Sequence, residues 1–186
     1  MSHRLFVAFR PPAGVRAELI ALMGGVREAR WQTDAQLHAT LAFVGEVDRH
    51  QAETIATALS HLAAPPLVLG FGPFDTFLTP RGEVAALWIG LRPEAAVAAL
   101  AQRVAQLLST AGVPLPTRKF VPHVTLARFP ARGAPRAALL RFLTDRQPPA
   151  SRFPVESVTL FESRLGRSGA HYEPRLDIPL RGRAAA

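Results

Sequence analysis

Two histidines in this chain sit in near-identical surroundings. His38-Ala39-Thr40-Leu41-Ala42-Phe43 is followed, a little under half of the 186-residue chain later, by His123-Val124-Thr125-Leu126-Ala127-Arg128. The shared pattern H-x-T-L-A supplies two imidazoles and two hydroxyls in matched settings. An imidazole of ordinary pKa, ~6.5, can hold or release a proton near neutrality, so a pair of them can act as general acid and general base. On a strand, residues i and i+2 share a face. Strict alternation therefore sends His38 and Thr40 one way and Leu37, Ala39, Leu41 and Phe43 the other. His123 and Thr125 oppose Val124 and Leu126 in the same manner.

Two such strands lying side by side near a pseudo-two-fold axis would line one groove with both imidazoles and both hydroxyls. That set suits the opening of a five-membered cyclic phosphodiester. Water must attack phosphorus in line with the departing oxygen, so the base and the acid must flank phosphorus from opposite sides. The threonine hydroxyls could donate to non-bridging oxygens where charge builds. Other chemistries lack their signatures. Catalytic zinc needs three protein ligands, and H-x-T puts a hydroxyl where a second ligand belongs. The chain has no H-x-H, no HExxH, no G-x-S-x-G, no P-loop and no G-x-G-x-x-G. Neither a metal nor a cofactor is expected. His3, His50, His61 and His171 are read as structural.

The elements that must position these residues follow from periodicity and punctuation. Leu5–Phe9 reads as a strand stopped by Pro11-Pro12. Ala13–Arg30 carries apolar residues at helical spacing, with Gly24-Gly25 weakening its end. Leu37–Val44 is the first motif strand. Asp48 with Gln51 marks the start of a helix over Arg49–Leu62. Leu67–Leu69, Gly72–Leu78 and Val84–Leu91 read as strands, with a turn at Thr79-Pro80-Arg81-Gly82. Pro93 is expected as the first residue of a helix whose apolar stripe covers Ala96–Leu108. Val113–Lys119 reads as a loop, Phe120–Phe129 as the second motif strand and Ala134–Leu143 as a short helix. Pro154–Phe161 and Tyr172–Leu180 read as the last strands, and Ala184–Ala186 as a frayed tail. The order suggests two similar α+β lobes, each with a mostly antiparallel sheet. No linker separates independent domains, so residues 1–186 are expected to form a single bilobal domain.

Composition bounds the partners. With 48% hydrophobic and 19% charged residues, the chain can bury a sizeable core. Net charge is +8, carried almost wholly by arginine, whose planar fork suits phosphate oxygens. Together with the two histidine motifs this favours a polyanionic partner. The chain has no cysteine, which excludes disulfides and thiolate chemistry and is compatible with the expected cytoplasmic setting. No signal peptide is expected at Met1-Ser2-His3-Arg4-Leu5-Phe6-Val7, and no window approaches the roughly 20 apolar residues of a membrane span. A monomer is expected.

Several segments carry a resemblance beyond the motifs themselves: Arg4-Leu5-Phe6-Val7-Ala8, Leu37 to Val47, Leu87-Trp88-Ile89-Gly90, Phe120 to Arg128, Phe161-Glu162-Ser163 and Gly169-Ala170-His171-Tyr172. In this order they resemble the 2H phosphoesterase superfamily, and within it the bacterial and archaeal RNA 2′,3′-cyclic phosphodiesterase branch, historically called 2′-5′ RNA ligase. The resemblance implies a bilobal pseudo-two-fold α+β fold, with two mostly antiparallel sheets flanked by helices around a central groove. It implies metal-independent opening of terminal 2′,3′-cyclic phosphates of RNA ends or nucleotides to 2′-phosphomonoesters. It casts His38 as proton donor to O3′ and His123 as the base that activates water, although the near-equivalent motifs leave that choice open on residues alone. Thr40, Thr125 and Arg128 match phosphate-contacting positions, and strict alternation puts Arg128 on the face opposite His123. Arg118 and Lys119 are candidates to hold the RNA backbone. Tyr172 and Phe9 could stack on a base, with core packing the alternative for Phe9. Two other functions stay open: 2′-5′ RNA ligation by the reverse reaction, and a catalytically silent module that binds RNA or nucleotides.

Overall fold

The computed structural model describes residues 2–115, 119–131, 133–166 and 169–182. Two sheets are built from β1 (His3–Phe9), β2 (Arg30–Trp31), β3 (Ala39–Val47), β4 (Leu67–Leu78), β5 (Val84–Arg92), β6 (His123–Arg128), β7 (Phe153–Val155), β8 (Ser157–Gly166) and β9 (Gly169–Pro179). One has the order β3-β1-β8-β9, the other β2-β6-β5-β4-β7. Strand pairing is antiparallel throughout the described residues. The motif strands are thus not hydrogen-bonded neighbours. β3 is an edge strand of the first sheet and β6 belongs to the second, and the two approach one another across the sheets.

Four helices accompany the sheets: α1 (Ala13–Leu22), α2 (Arg49–Ser60), α3 (Glu94–Thr110) and α4 (Arg136–Asp145). On α3, Val97, Leu100, Ala101, Val104 and Leu108 are buried, a stripe at helical spacing that lies against β3 and β5. α2 buries Ile55 and Leu59 and packs near β1 and β9. Its start is as the sequence suggests: the Asp48 carboxylate accepts from the Gln51 N–H at 2.8 Å. A large apolar cluster contains Leu5, Val7 and Phe9 of β1, Leu87, Ile89 and Leu91 of β5, and the buried stripes of the helices. The core therefore runs through both sheets.

The departures from the sequence expectations have local causes. α1 stops at Leu22 instead of reaching Arg30, because Gly24 and Gly25 take φ of 140° and 77°, outside the helical region. The short strand Arg30–Trp31 then pairs with Arg128 and Ala127 of β6. Pro93 is the residue that caps α3, not its first helical residue. The two segments read between Leu67 and Leu78 form one irregular strand, with a register shift between Phe71 and Phe74. His3 and His171 lie inside strands. No helix among the described residues is long and apolar enough to cross a membrane.

Candidate active site

Both motif strands carry a β-bulge at the same place. In the β1–β3 pairing, Val7 faces Ala42 and Ala8 faces Thr40, leaving Leu41 as an extra residue. In the β5–β6 pairing, Leu87 faces Ala127 and Trp88 faces Thr125, leaving Leu126 as the extra one. A bulge resets the alternation. Thr40 and Phe43 lie opposite Ala8 and Phe6, which share a face of β1, so Phe43 joins His38 and Thr40. Thr125 and Arg128 lie opposite Trp88 and Ala86, which share a face of β5, so Arg128 joins His123 and Thr125. Burial repeats accordingly. From His38 to Phe43 and again from His123 to Arg128 it runs half-buried, buried, half-buried, buried, buried, exposed. This corrects the expectation that Arg128 and Phe43 point away from the histidines.

Each histidine is anchored alike. The His38 Nδ1–H donates to the Gln36 carbonyl at 2.6 Å, and the His123 Nδ1–H donates to the Val121 carbonyl at 2.7 Å. A carbonyl can only accept, so the neutral tautomer carries its hydrogen on Nδ1 and leaves the Nε2 lone pair for a ligand. Each ring is also boxed by aromatics. His38 meets Phe6 and Tyr172, each with ring centroids 5.0 Å away. His123 meets Phe77 at 4.8 Å and Trp88 at 5.6 Å.

This packing removes the imidazoles from water, and burial disfavours the charged form. Burial is the main reason His38 is pushed down to about 4. The Gln36 hydrogen bond opposes the fall, while the charges of Arg128, His123 and Arg10 add to it. The His123 pKa is lowered chiefly by burial, against the Val121 hydrogen bond and with help from Arg128. His38 responds to His123, and both respond to Arg128. The two rings and the guanidinium therefore share one electrostatic environment.

The segment before His38 is held from several sides. A single 3₁₀ turn, Asp34–Gln36, is closed by a reciprocal cap between Thr33 and Gln36. Gln36 Nε2 donates to the Ala170 carbonyl at 2.9 Å, tying this turn to the β8–β9 hairpin. Arg10 and Arg16 both bond the Asp34 carboxylate, at 3.1 and 2.8 Å. The Arg16 hydrogen bond holds the Asp34 pKa below its ordinary value. Among the described residues, no group of three or more His, Cys, Asp or Glu could hold a metal ion.

The other sequence candidates divide. Lys119 lines a cleft of about 960 Å³ together with Thr40, Phe43, Phe77 and His123. Tyr172 sets its ring edge-on against His38. Phe9 does not reach the groove: it is 1% exposed and belongs to the core, because Leu5, Val7 and Phe9 take the inner face of β1. Arg118 lies outside the described residues. Sequence reasoning missed Phe6, Trp88, Phe77 and Gln36, which shape the two imidazoles. A signal for the bulges was present: the adjacent apolar pairs Leu41-Ala42 and Leu126-Ala127 break alternation at the same point of both motifs.

A family model described as the 2′-5′ RNA ligase superfamily matches residues 12–167. A protein of Geobacillus stearothermophilus named RNA 2′,3′-cyclic phosphodiesterase is 31% identical over 159 residues, 82% of this chain and 48% of that protein. The chain thus spans about half the length of that relative. A protein of the same name from Escherichia coli (strain K12) is 27% identical over 178 residues, covering 92% of this chain and 93% of that one. The crystal structure of E. coli LigT complexed with 3′-AMP superposes with a TM-score of 0.78 at 25% identity, covering 97% of this chain and 99% of that one.

Proposed function

The chain belongs to the 2′-5′ RNA ligase superfamily, and from that premise we propose that it hydrolyses terminal 2′,3′-cyclic phosphates of RNA or nucleotides to 2′-phosphomonoesters. One observation carries the reading: two imidazoles from separate sheets, each fixed at Nδ1 and open at Nε2, share an environment with a single guanidinium. That arrangement offers one proton acceptor and one proton donor to the same phosphorus. Positioned groups of this kind contribute ~10²–10⁴-fold each, and neither requires a metal.

In the forward step the Nε2 of His123 takes a proton from water as its oxygen bonds to phosphorus. The P–O3′ bond breaks, and Nε2–H of His38 gives its proton to O3′. The product is the 2′-phosphomonoester, and exchange with solvent resets both rings. Thr40 and Thr125 donate to non-bridging oxygens, and Arg128 balances the charge that builds there. The roles of the two histidines follow from the residue that each bulge brings forward. Arg128 on the His123 side favours the face where water and phosphate charge meet. Phe43 on the His38 side favours the nucleoside, and so the departing O3′. The two lobes act as one domain, since their core is shared, and the enzyme works as a cytoplasmic monomer.

The test is an oligonucleotide ending in 2′,3′-cyclic phosphate, incubated with EDTA, with the product phosphate mapped. The expected product is the 2′-monoester, and His38→Ala and His123→Ala should each lose most of the rate. Full activity in either variant, or loss of activity in EDTA, would overturn the proposal. The superfamily description names ligation, and microscopic reversibility allows the same groove to join 2′-5′ ends. In that case a 5′-hydroxyl replaces water, and high end concentration should favour the product.

A further inference from the structure

We propose that the cleft between β3, α3 and the end of β4 is a nucleobase slot, which takes the base of the nucleotide that carries the cyclic phosphate. The inference rests on the reading of the groove as a cyclic phosphodiesterase site. The cleft is open in part because α3 presents Ala98, Ala101 and Ala105 there, small side chains on one helix face. Its walls are rings and aliphatic groups, with Phe43, Phe77, Leu78 and Phe120 the largest. Gln102 and Lys119 are its polar members away from the reaction centre, and Thr40 and His123 form its inner end.

Three features select a base over another apolar occupant. The cleft runs continuously into the residues that would hold the phosphate, so whatever fills it is tethered to that phosphate. The step from Thr40 to Phe43 along the shared face is roughly 7 Å, two residues of strand once the bulge is discounted. A ribose joining phosphorus to a base spans a similar length. Phe43 is exposed, at 42%, and Arg4 is placed over its ring, 5.3 Å from the centroid. A large aromatic ring held in place yet open to solvent is a stacking platform. The opposite end of the groove is closed to a base, because Tyr172 and Phe6 pack on His38 and Gln36 ties the β8–β9 hairpin across. Within the slot the Gln102 amide offers both a donor and an acceptor to the base edge. The Lys119 ammonium stands at the side where the preceding backbone phosphate of an RNA end would leave.

The experiment compares kcat/KM for a 2′,3′-cyclic nucleotide with that for glycerol 1,2-cyclic phosphate, which has the reacting ring and no base. The wild type should prefer the nucleotide. Phe43→Ala should lower the preference by about 5- to 150-fold, the range that one base–aromatic stack supplies. Ala98→Leu, which fills the slot from the α3 side, should lower it similarly, and thermal melts establish that both variants are folded. A wild type that cleaves both substrates equally well, or folded variants that keep the full preference, would overturn the slot while leaving the hydrolase reading intact. A wild type that cleaves neither substrate would instead remove the reading on which the slot rests.

Discussion

The clearest quantitative consequence concerns protons. In the free protein His38 is lowered to about 4 and His123 is lowered as well, so both rings are neutral at pH 7. The productive state needs one proton on the pair, on His38. A cyclic phosphodiester brings one negative charge between the rings. At ~4 Å and an effective dielectric of about 20 that charge is worth about 4 kcal/mol to an imidazolium. At 1.36 kcal/mol per pH unit this equals about three units, enough to bring His38 from about 4 to near 7. Bell-shaped profiles should therefore differ. That of kcat/KM, which reports the free enzyme, should centre below pH 6.5. That of kcat, which reports the complex, should lie alkaline of it by as much as ~3 units. The limbs belong to the coupled pair rather than to one residue. Binding takes up a proton, so KM should rise with pH across the window between the two profiles. The assay is initial-rate kinetics from pH 4 to 9, joined by NMR titration of the histidine Cε1–H groups in the free protein. Superimposable profiles, or a free-state His38 titrating near 6.5, would refute the reasoning.

Arg128→Gln removes a cation that depresses both histidines, so both limbs of the kcat/KM profile should move to higher pH; an unmoved profile would detach Arg128 from the groove. His38 also makes the fold acid-sensitive. The unfolded chain takes up its proton near 6.5 and the native state near 4, so stability present above pH 6.5 is lost as pH falls through that window, by about 3 kcal/mol. Urea titrations at pH 7 and pH 4.5 should show a smaller loss for His38→Asn than for the wild type. Ile89 is fully buried on β5 beside the second motif strand, and Ile89→Ala should cost about 2–5 kcal/mol in the same assay.

The motif and its strand context were legible because period-2 patterning survives in Leu37-His38-Ala39-Thr40 and in its copy. The order of helices and strands was legible for the same reason, since apolar stripes at helical spacing mark α2 and α3. What alternation could not give was the phase after the threonine. Leu41 and Leu126 are each inserted opposite no partner, and pairing geometry rather than residue type decides that. Phe9 was ambiguous because Leu5-Phe6-Val7-Ala8-Phe9 is apolar throughout, and both faces of β1 are covered, one by the core and one by the smaller cluster of Phe6, Ala8 and Phe161. The overlong first helix came from Val26, which keeps the apolar spacing going past Gly24-Gly25. The aromatic boxes around the histidines come from strands far along the chain, so only the assembled sheets bring them together.

Each bulge works like a shifted tooth in a zip. Thr40 to Phe43, and Thr125 to Arg128, are odd steps that nonetheless land on one side of the ribbon. Deleting a single residue there would restore even counting and swing the aromatic ring or the guanidinium through the sheet into oil. The division of labour between the halves is thus set by chain length at two points, where side-chain exchange alone cannot reproduce it.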